Sequence, residues 1–187
     1  FAHALDLARG RVSETKGYYL VAGAETLTKM TDYSEMNCDL FGDGCGAVVL
    51  GPTNEKDKGI IASAFASDVS GVNWIYKDKH GMLRMPGGPN VFENAVRGMI
   101  DIAHRAMERC GVKKGDVDIY VPHQANGRIL DRIKRKIAEE GKGRIIRNIE
   151  RFGNMSAATE PVAYAEAREK GIIKEGDLVV WTGFGAG

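Results

Sequence analysis

The chain has 187 residues, of which 43% are hydrophobic and 27% are charged, and its formal net charge is +1. This length is enough to bury a core, and so small a net charge gives no overall field that would indicate a nucleic acid or a membrane surface. No apolar run approaches the ~20 residues of a membrane helix, and no signal peptide is visible. Cys38, Cys45 and Cys110 form neither a CxxC pair nor a disulfide framework, which predicts a reduced, cytoplasmic protein with no metal site.

The first predicted element is a helix that ends at Gly10. Phe1, Leu5 and Ala8 share one face at helical spacing, and a glycine commonly follows the last turn of a helix. The sequence begins without a methionine and inside this helix, and it ends in the glycine-rich run 183–187 just after a predicted strand. Both features indicate a segment of a longer protein.

Three short apolar runs predict strands in the first half, at residues 18–22, 47–50 and 60–66. The run Gly-Asp-Gly-Cys-Gly (residues 42–46) is predicted to be the turn that leads into the second strand. It could cradle a phosphate, but it lacks the Lys-Ser/Thr ending of a P-loop and it precedes a strand, where a dinucleotide fingerprint follows one. Close backbone packing is therefore the favoured interpretation.

A long loop and a long helix come next. Residues 67–90 are rich in glycine and proline, which predicts an irregular loop, and loops of this length in compact domains are commonly binding loops. Residues 91–110 repeat apolar side chains at helical spacing up to Gly111, which predicts an amphipathic helix that stops there.

The remainder of the chain alternates strands with helices. The order is strand 117–121, helix 126–140, strand 144–149, helix 157–170 and strand 177–182. Alternation of this kind predicts a layered α/β fold.

His123 is the first candidate functional residue. It lies in the run Ile-Tyr-Val-Pro-His-Gln-Ala-Asn (residues 119–126), at the end of a predicted strand and just before a helix. Ligand sites of α/β sheets lie at such strand ends. A single histidine in this position is more often structural than catalytic, so a catalytic role for His123 requires support from the stretches that follow it.

The helix predicted at 126–140 carries an excess of positive charge. Its apolar stripe is Ile129, Ile133 and Ile137. Its cationic face consists of Arg128, Arg132, Lys134, Arg135 and Lys136, against Asp131. Such an excess is typical of a dock for an anionic partner, because ordinary solvated helices mix both signs. A merely soluble surface is the alternative, and the closeness to His123 favours the dock.

Asn154 is the second candidate residue, and a glycine turn is the third candidate feature. Asn154 follows Gly153 and precedes small residues that open a helix. Its amide N–H could stabilise negative charge on a substrate oxygen, or its side chain could cap the helix, and both roles remain open. The run 183–187 could supply backbone N–H groups to another oxyanion, or it is a simple turn.

Taken together, these stretches resemble one known family. Val-Pro-His-Gln-Ala-Asn-Gly-Arg-Ile (residues 121–129), Gly-Asn-Met-Ser-Ala-Ala (153–158) and Phe-Gly-Ala-Gly (184–187) are similar to the β-ketoacyl-acyl-carrier-protein synthase III family of the thiolase superfamily. The stretches 41–50 and 85–96 also resemble that family, in the same order. The resemblance implies a thiolase-like fold with layers in the order α-β-α-β-α.

The same resemblance implies how the chain is divided. Residues 1–66 are expected to be the remainder of an N-terminal half, residues 67–90 a loop that lines the substrate tunnel, and residues 91–187 a C-terminal half.

The resemblance also implies an activity. The family carries out a decarboxylative Claisen condensation of an acyl-CoA with malonyl-acyl-carrier protein, using a Cys-His-Asn triad and no cofactor. The matching residues are His123 and Asn154, which are expected to stabilise the enolate that forms as CO₂ leaves. The backbone of Ala186 matches the oxyanion turn, and a homodimer is expected. The nucleophilic cysteine would precede Phe1, in an N-terminal part of the same protein, so this chain alone should be inactive.

Binding residues follow from the resemblance as well. The expected carrier-docking residues are Arg128, Arg135 and Lys136, and the expected substrate-binding residues are Gly88, Ala125, Asn126 and Phe184. Glu35 and Met36 stand where the family often has an arginine against the adenine of coenzyme A, and Glu93 stands where it has a carrier-facing lysine. The alternative function is a non-catalytic paralogue or partner subunit that binds a carrier protein or acyl chain.

Overall fold

The computed structural model describes residues 1–55 and 58–185, and helices and strands alternate along them. The helices are α1 (Ala2–Thr15), α2 (Gly88–Cys110), α3 (Gly127–Glu140), α4 (Ile149–Phe152) and α5 (Thr159–Glu169). The strands are β1 (Tyr19–Thr26), β2 (Asp43–Leu50), β3 (Tyr76–Lys77), β4 (Leu83–Arg84), β5 (Ile119–Pro122), β6 (Arg144–Ile145) and β7 (Val179–Thr182). None of the helices in these ranges is long and apolar enough to cross a membrane.

A parallel sheet with the strand order β6-β5-β7 forms the centre of the second half. Ile119 of β5 lies opposite Arg144 of β6 on one side and opposite Val179 of β7 on the other. Parallel neighbours need a crossover connection, and α3 connects β5 to β6 while α5 lies between β6 and β7. The carboxyl ends of β5 and β7 therefore lie at the same edge of the sheet.

Helices cover both faces of this sheet. Tyr120 belongs to an apolar cluster with side chains of α2 and α3, whereas Ile119 and Val121 belong to a second cluster with Ala163 and Ala167 of α5. Successive residues of a strand point to opposite faces, so one short buried strand contributes to both clusters. The layered α/β fold predicted from the sequence is confirmed.

β1 and β2 form a separate antiparallel pair whose inner face lies against α5 and the turn before it. A Cβ at Gly23 would overlap the carbonyl of Ala157, and a Cβ at Gly46 would lie 2.9 Å from Cβ of Pro161. Glycine is needed at both positions because the two backbones approach closely. The β1–β2 pair is thus attached directly to the segment that follows Asn154.

The prediction of a turn at residues 42–46 is wrong, although the close packing inferred there is confirmed. β2 begins at Asp43, so most of these glycines lie within the strand. A Cβ at Gly42 would overlap the carbonyl of Phe152, and one at Gly44 would overlap Sδ of Met155. The run lets β2 pass close to the segment on either side of Asn154.

The predicted end of α1 at Gly10 is also wrong. The helix continues to Thr15 and ends at Lys16, which adopts the left-handed conformation with a φ of 57°. A glycine inside a helix costs only about 1 kcal/mol relative to alanine, so the helix tolerates it.

Residues 60–66 form no strand, contrary to the prediction, and no strand of the described ranges pairs with them. Within this run, Ser63 forms hydrogen bonds with two helices instead. The Ser63 hydroxyl donates to Asp6 of α1 at 2.7 Å, and the Ser63 carbonyl accepts from Arg109 of α2 at 2.6 Å. This apolar run therefore passes across the helices and does not pair with a strand.

The long loop contains more structure than predicted. β3 and β4 pair within it, and Arg84 donates to Asp78 at 2.8 Å and to Asp32 at 2.6 Å. These bonds attach the loop to the segment after β1. α2 begins at Gly88, slightly before the predicted start, and ends as predicted at Gly111, whose φ is 71°.

The strand predicted at 144–149 is mostly wrong. β6 contains only Arg144 and Ile145, because the backbone N–H of Asn148 donates to the Gln124 side chain at 3.0 Å and α4 then begins at Ile149. The chain leaves the sheet early in order to carry Gly153 and Asn154 back toward β5.

Candidate active site

His123 lies at the carboxyl end of β5, directly after Pro122. Its backbone N–H donates to the carbonyl of Thr182 at 2.8 Å, which extends the pairing of β5 and β7 by one residue. His123 is only 7% exposed. The histidine therefore lies at the strand end expected from the sequence, at the edge of the sheet and largely shielded from solvent.

Thr159, the first residue of α5, orients the ring of His123. Nδ1 of His123 lies 2.5 Å from Oγ1 of Thr159, and the Thr159 hydroxyl donates to the carbonyl of Ser156 at 2.8 Å. A hydroxyl has one proton, so while it is directed at Ser156, Oγ1 accepts from the Nδ1–H of a neutral ring. In that tautomer Nε2 keeps its lone pair and can accept a proton.

Burial makes His123 a weakly basic histidine. It lowers the pKa of the ring from 6.5 to about 4, because the charged form loses its hydration inside the protein. The ring is thus neutral at physiological pH, and it holds an imidazolium charge only when a negative charge stands close to it.

Asn154 is fixed by its backbone and by its side chain. The backbone N–H donates to Leu40 at 2.8 Å, and the carbonyl accepts from Gly42 at 3.0 Å. Oδ1 accepts from the N–H of Ser156 at 2.8 Å, while Nδ2 donates to the carbonyl of Ala125 at 3.3 Å. The capping role that the sequence left open is present, and the amide keeps a second N–H for a ligand.

The segment 153–159 brings His123 and Asn154 to one place. Asn154 binds the carbonyl of Ala125, whose own N–H donates to the carbonyl of His123 at 2.9 Å, and Thr159 binds the ring of His123. Gly153 permits this path because its φ is 67°, a left-handed value that favours glycine. A ring nitrogen and a side-chain amide therefore border the same small region.

Gln124 locks the turn beneath these groups. It is fully buried, its Nε2 donates to the carbonyls of Pro122 at 2.7 Å and Ile146 at 3.3 Å, and its Oε1 accepts from Asn148. Every polar atom of this side chain is used to join β5 to the segment after β6. No role for Gln124 was predicted from the sequence.

The four expected substrate-binding residues fall into two groups. Ala125 and Phe184 belong to the same apolar cluster, beside the strand ends. Asn126 caps α3, because its Oδ1 accepts from the N–H of Arg128 at 2.8 Å, and Gly88 is the first residue of α2 with open space around it. The expected oxyanion residue, Ala186, lies outside the described residues.

The cationic face of α3 is exposed, but its charges are not equally free. Lys136 pairs with Glu139 at 3.2 Å, and Arg132 lies 3.6 Å from Glu93. Asp131, the acid that the sequence sets against these cations, forms an ion pair with Arg147 at 2.5 Å. Of the ion pairs found in the described ranges, none involves Arg128, Lys134 or Arg135, and these three carry most of the available positive charge.

Glu160 is a buried acid that the sequence did not indicate. It is 6% exposed and lies in the first turn of α5, next to Thr159. A Cβ at Gly183 would overlap its Oε1 and would lie 4.0 Å from Cβ of His123. Burial raises the pKa of Glu160 from 4.5 to about 7. The pattern Ser-Ala-Ala-Thr-Glu-Pro predicts only a helix start.

Two of the remaining histidines and one of the cysteines have partners elsewhere in the fold. His104 binds Glu140 at 2.7 Å, and His3 stacks on Phe65. Cys110 lies within the last turn of α2 and bonds to the carbonyl of Met107 at 3.3 Å. Within residues 1–55 and 58–185, no cluster of three or more His, Cys, Asp or Glu residues could hold a metal ion.

The start of α1 lies at the same edge of the parallel sheet. The ring of Phe1 stacks on Trp181 of β7 with 5.6 Å between the ring centres, and Trp181 directly precedes Thr182, the partner of His123. The beginning of α1 therefore lies beside the end of β7 that pairs with His123.

Comparison with known proteins gives consistent relatives. A family model described as 3-Oxoacyl-[acyl-carrier-protein (ACP)] synthase III matches residues 1–69, and the model of its C-terminal part matches residues 107–187. The β-ketoacyl-[acyl-carrier-protein] synthase III of Geobacillus kaustophilus is 40% identical over 171 residues, which cover 91% of this chain and 54% of that protein.

Relatives from Aquifex aeolicus agree in sequence and in structure. The β-ketoacyl-[acyl-carrier-protein] synthase III of that organism is 38% identical over 190 residues, which cover 100% of this chain and 60% of the relative. A crystal structure of 3-oxoacyl-[acyl-carrier-protein] synthase III from the same organism matches with a TM-score of 0.90 at 36% identity, over 99% of this chain and 60% of that one. The chain thus spans 54% to 60% of the length of these relatives. It belongs to the 3-oxoacyl-[acyl-carrier-protein] synthase III family.

Proposed function

We propose that the protein of which this chain is part condenses an acyl-CoA with malonyl-acyl-carrier protein and so initiates fatty acid synthesis. The observation that carries the proposal is that the segment 153–159 orients both His123 and Asn154. Thr159 bonds to the ring of His123, and the side chain of Asn154 bonds to the carbonyl of Ala125, two residues after His123. A neutral imidazole and a side-chain amide in a largely buried site suit a reaction in which negative charge develops on a thioester oxygen.

The first step requires a nucleophile that this chain does not contribute. We infer that a cysteine precedes Phe1 at the start of α1, where a helix N-terminus favours the thiolate. The thiol gives its proton to Nε2 of His123, the sulfur attacks the acyl-CoA carbonyl, and the coenzyme A sulfur leaves as a thiol by taking that proton from Nε2. The stacking of Phe1 on Trp181 supports this placement, because it holds the beginning of α1 at the edge that carries His123.

The second step is the decarboxylation of the malonyl group. Asn154 donates through its free Nδ2–H to the thioester oxygen, and His123 donates from Nε2. For the second donor the ring must hold its proton on Nε2, which the Thr159 hydroxyl allows by turning to donate to Nδ1. The bond to CO₂ breaks, the electron pair forms the enolate, and the enolate carbon attacks the carbonyl of the acyl-cysteine, whose C–S bond breaks as the cysteine thiolate leaves.

The cationic face is the proposed dock for the carrier protein. Arg128 and Arg135 are exposed and face solvent from the helix that begins just after His123. Lys136, expected at this dock from the resemblance, is ion-paired to Glu139 and contributes less. Ala125 and Phe184 border the substrate, and we extend the same proposal to Gly88, Asn126 and the backbone of Ala186.

The remaining expectations belong to this proposal too. We infer the division into residues 1–66, 67–90 and 91–187, a homodimer, a cytoplasmic location, and no cofactor besides the two thioester substrates. The alternative function, a non-catalytic carrier-binding subunit, is favoured by the fully exposed Met36 and by Glu35, which is bound to Arg84, since neither offers an adenine contact.

The experiment uses the full-length protein with His123→Ala or Asn154→Ala. Each variant should retain acylation of the cysteine by acyl-CoA but lose malonyl decarboxylation by about 10²–10³-fold, the usual cost of one oxyanion donor. Glu169→Ala, at the exposed far end of α5, is the matched control. Decarboxylation at the wild-type rate in either variant would refute the assigned roles, and a residue other than cysteine at the start of α1 would favour the carrier-binding subunit.

A further inference from the structure

Glu160 is the one group bordering the site that the proposed mechanism does not use. Its side chain is buried, and no other side chain in residues 1–55 and 58–185 forms an ion pair with it. Buried carboxyls without a cationic partner are rare in proteins, because the charged form loses its hydration. An acid that is kept here despite this loss of hydration indicates a functional role.

The geometry places this carboxyl beside the imidazole. Thr159 bonds to Nδ1 of His123, and Glu160 follows Thr159 in the first turn of α5. A Cβ at Gly183 would overlap Oε1 of Glu160 and lie 4.0 Å from Cβ of His123, so both side chains adjoin the same backbone position. Low-dielectric surroundings make an interaction between two such groups stronger than it would be in water.

The charged groups around Glu160 are few. His123 adjoins it at the end of β5, since both side chains border Gly183. On the β1–β2 pair, Glu25 accepts from the N–H of Ala157 at 3.4 Å, and Asp43 is held by Thr28. Among these, His123 is the group whose charge changes during the proposed reaction.

We propose that Glu160 is a positioning residue for His123, and that its carboxylate stabilises the imidazolium that forms when the ring takes the proton of the reacting cysteine thiol. This inference rests on the proposed function. In the step, the S–H bond breaks and the Nε2–H bond forms, while Glu160 keeps its own protonation state. The carboxylate supplies only charge, and it offsets the desolvation that otherwise opposes a charged ring.

The stability of the thiolate–imidazolium pair should depend on pH. The pKa of Glu160 is about 7, so the carboxylate becomes available as the pH rises through the neutral range. The reactive thiolate–imidazolium pair should therefore gain stability over the same range. Without the carboxylate, the pair should form only at higher pH.

The experiment measures the rate at which iodoacetamide alkylates the cysteine of the full-length enzyme as a function of pH. In Glu160→Gln the midpoint of the profile should rise by about one unit, which lowers the rate near neutral pH about tenfold. Glu169→Gln is the matched control, because it removes an exposed carboxylate from the other end of α5 and should leave the midpoint unchanged.

Three outcomes separate the possibilities. A wild-type midpoint in a folded Glu160→Gln variant overturns the role of Glu160. If that variant does not fold, Glu160→Asp replaces it, since the shorter side chain withdraws the carboxylate and the midpoint should still rise; a wild-type midpoint there overturns the role as well. A wild-type enzyme whose thiol is alkylated but which makes no condensation product contradicts the proposed function instead.

Discussion

The surroundings of the His123 ring and the cationic face of α3 are neighbours in the chain but differ in their exposure to solvent. The ring is largely buried, and its Nδ1 has a fixed partner in Thr159. Arg128 and Arg135, a few residues later, are exposed to solvent. Charges in the first region act through a medium of low dielectric constant, and charges in the second act through water and salt.

This difference shows how one short stretch can serve two tasks. Buried groups with fixed partners control a reaction, because their interactions are strong and hold one geometry. Exposed charges attract a partner from a distance and contribute modestly to each contact. Substitutions at the ring should therefore have large effects that are insensitive to salt, and substitutions on the cationic face small effects that depend on it.

The largest effect is expected for the dependence of stability on pH in Glu160→Gln. The pKa of Glu160 is about 7 in the folded protein against an ordinary 4.5. Between these values the folded state holds a proton that the unfolded state has released, so the carboxyl lowers stability as the pH rises through this window. Relative to wild type, the Gln variant should gain about 3 kcal/mol between pH 4.5 and pH 8.

Urea unfolding of the full-length protein at several pH values measures this gain. An equal difference between variant and wild type at every pH would mean that Glu160 keeps an ordinary pKa in the folded state. Glu169→Gln, which removes an exposed carboxylate, provides the baseline.

The next effect is expected at Thr159. Thr159→Val keeps the shape of the side chain but leaves the Nδ1 group of His123 without a partner, and an unsatisfied buried group costs about 1–3 kcal/mol. Condensation should slow by about tenfold or more, and the slowing should be the same at low and high salt. Thr159→Ser retains the hydroxyl and should remain close to wild type. If the Val and Ser variants have equal rates, the ring is oriented by something else.

The smallest effect is expected on the cationic face. Arg128→Glu combined with Arg135→Glu should raise the KM for the carrier protein about tenfold at low salt and leave acyl-CoA hydrolysis unchanged. Near 1 M salt, where exposed charges are screened over about 3 Å, variant and wild type should converge. A KM that does not respond to salt would count against the dock.

Lys136 sharpens the same comparison. It is paired with Glu139, so Lys136→Ala should raise the carrier KM less than Arg135→Ala does. Equal effects from the two variants would show that the pair with Glu139 does not weaken Lys136.

Regular apolar spacing was the most reliable signal in the sequence. It predicted α2 and α3 almost to their ends, because one face of each helix is buried along its full length. Short runs were less reliable. Residues 60–66 look like a strand but cross two helices, and residues 146–149 leave the sheet because Gln124 captures the N–H of Asn148. Both outcomes depend on side chains that are distant in sequence.

The candidate site shows the same limit. His123 and Asn154 were identified through short motifs, since each motif specifies a local turn. Thr159 and Glu160 were missed, because their relation to His123 exists only after α5 has packed against the end of β5. Local sequence identified the groups that we propose face the substrate, and only the fold identifies the groups behind them.

The lack of a side chain at Gly183 has a consequence for how this site can vary. The space that a β-carbon would take there is filled by the carboxyl of Glu160. An alanine at position 183 is therefore compatible only with a smaller or differently directed side chain at position 160. Relatives that carry a residue other than glycine at 183 should lack glutamate at 160.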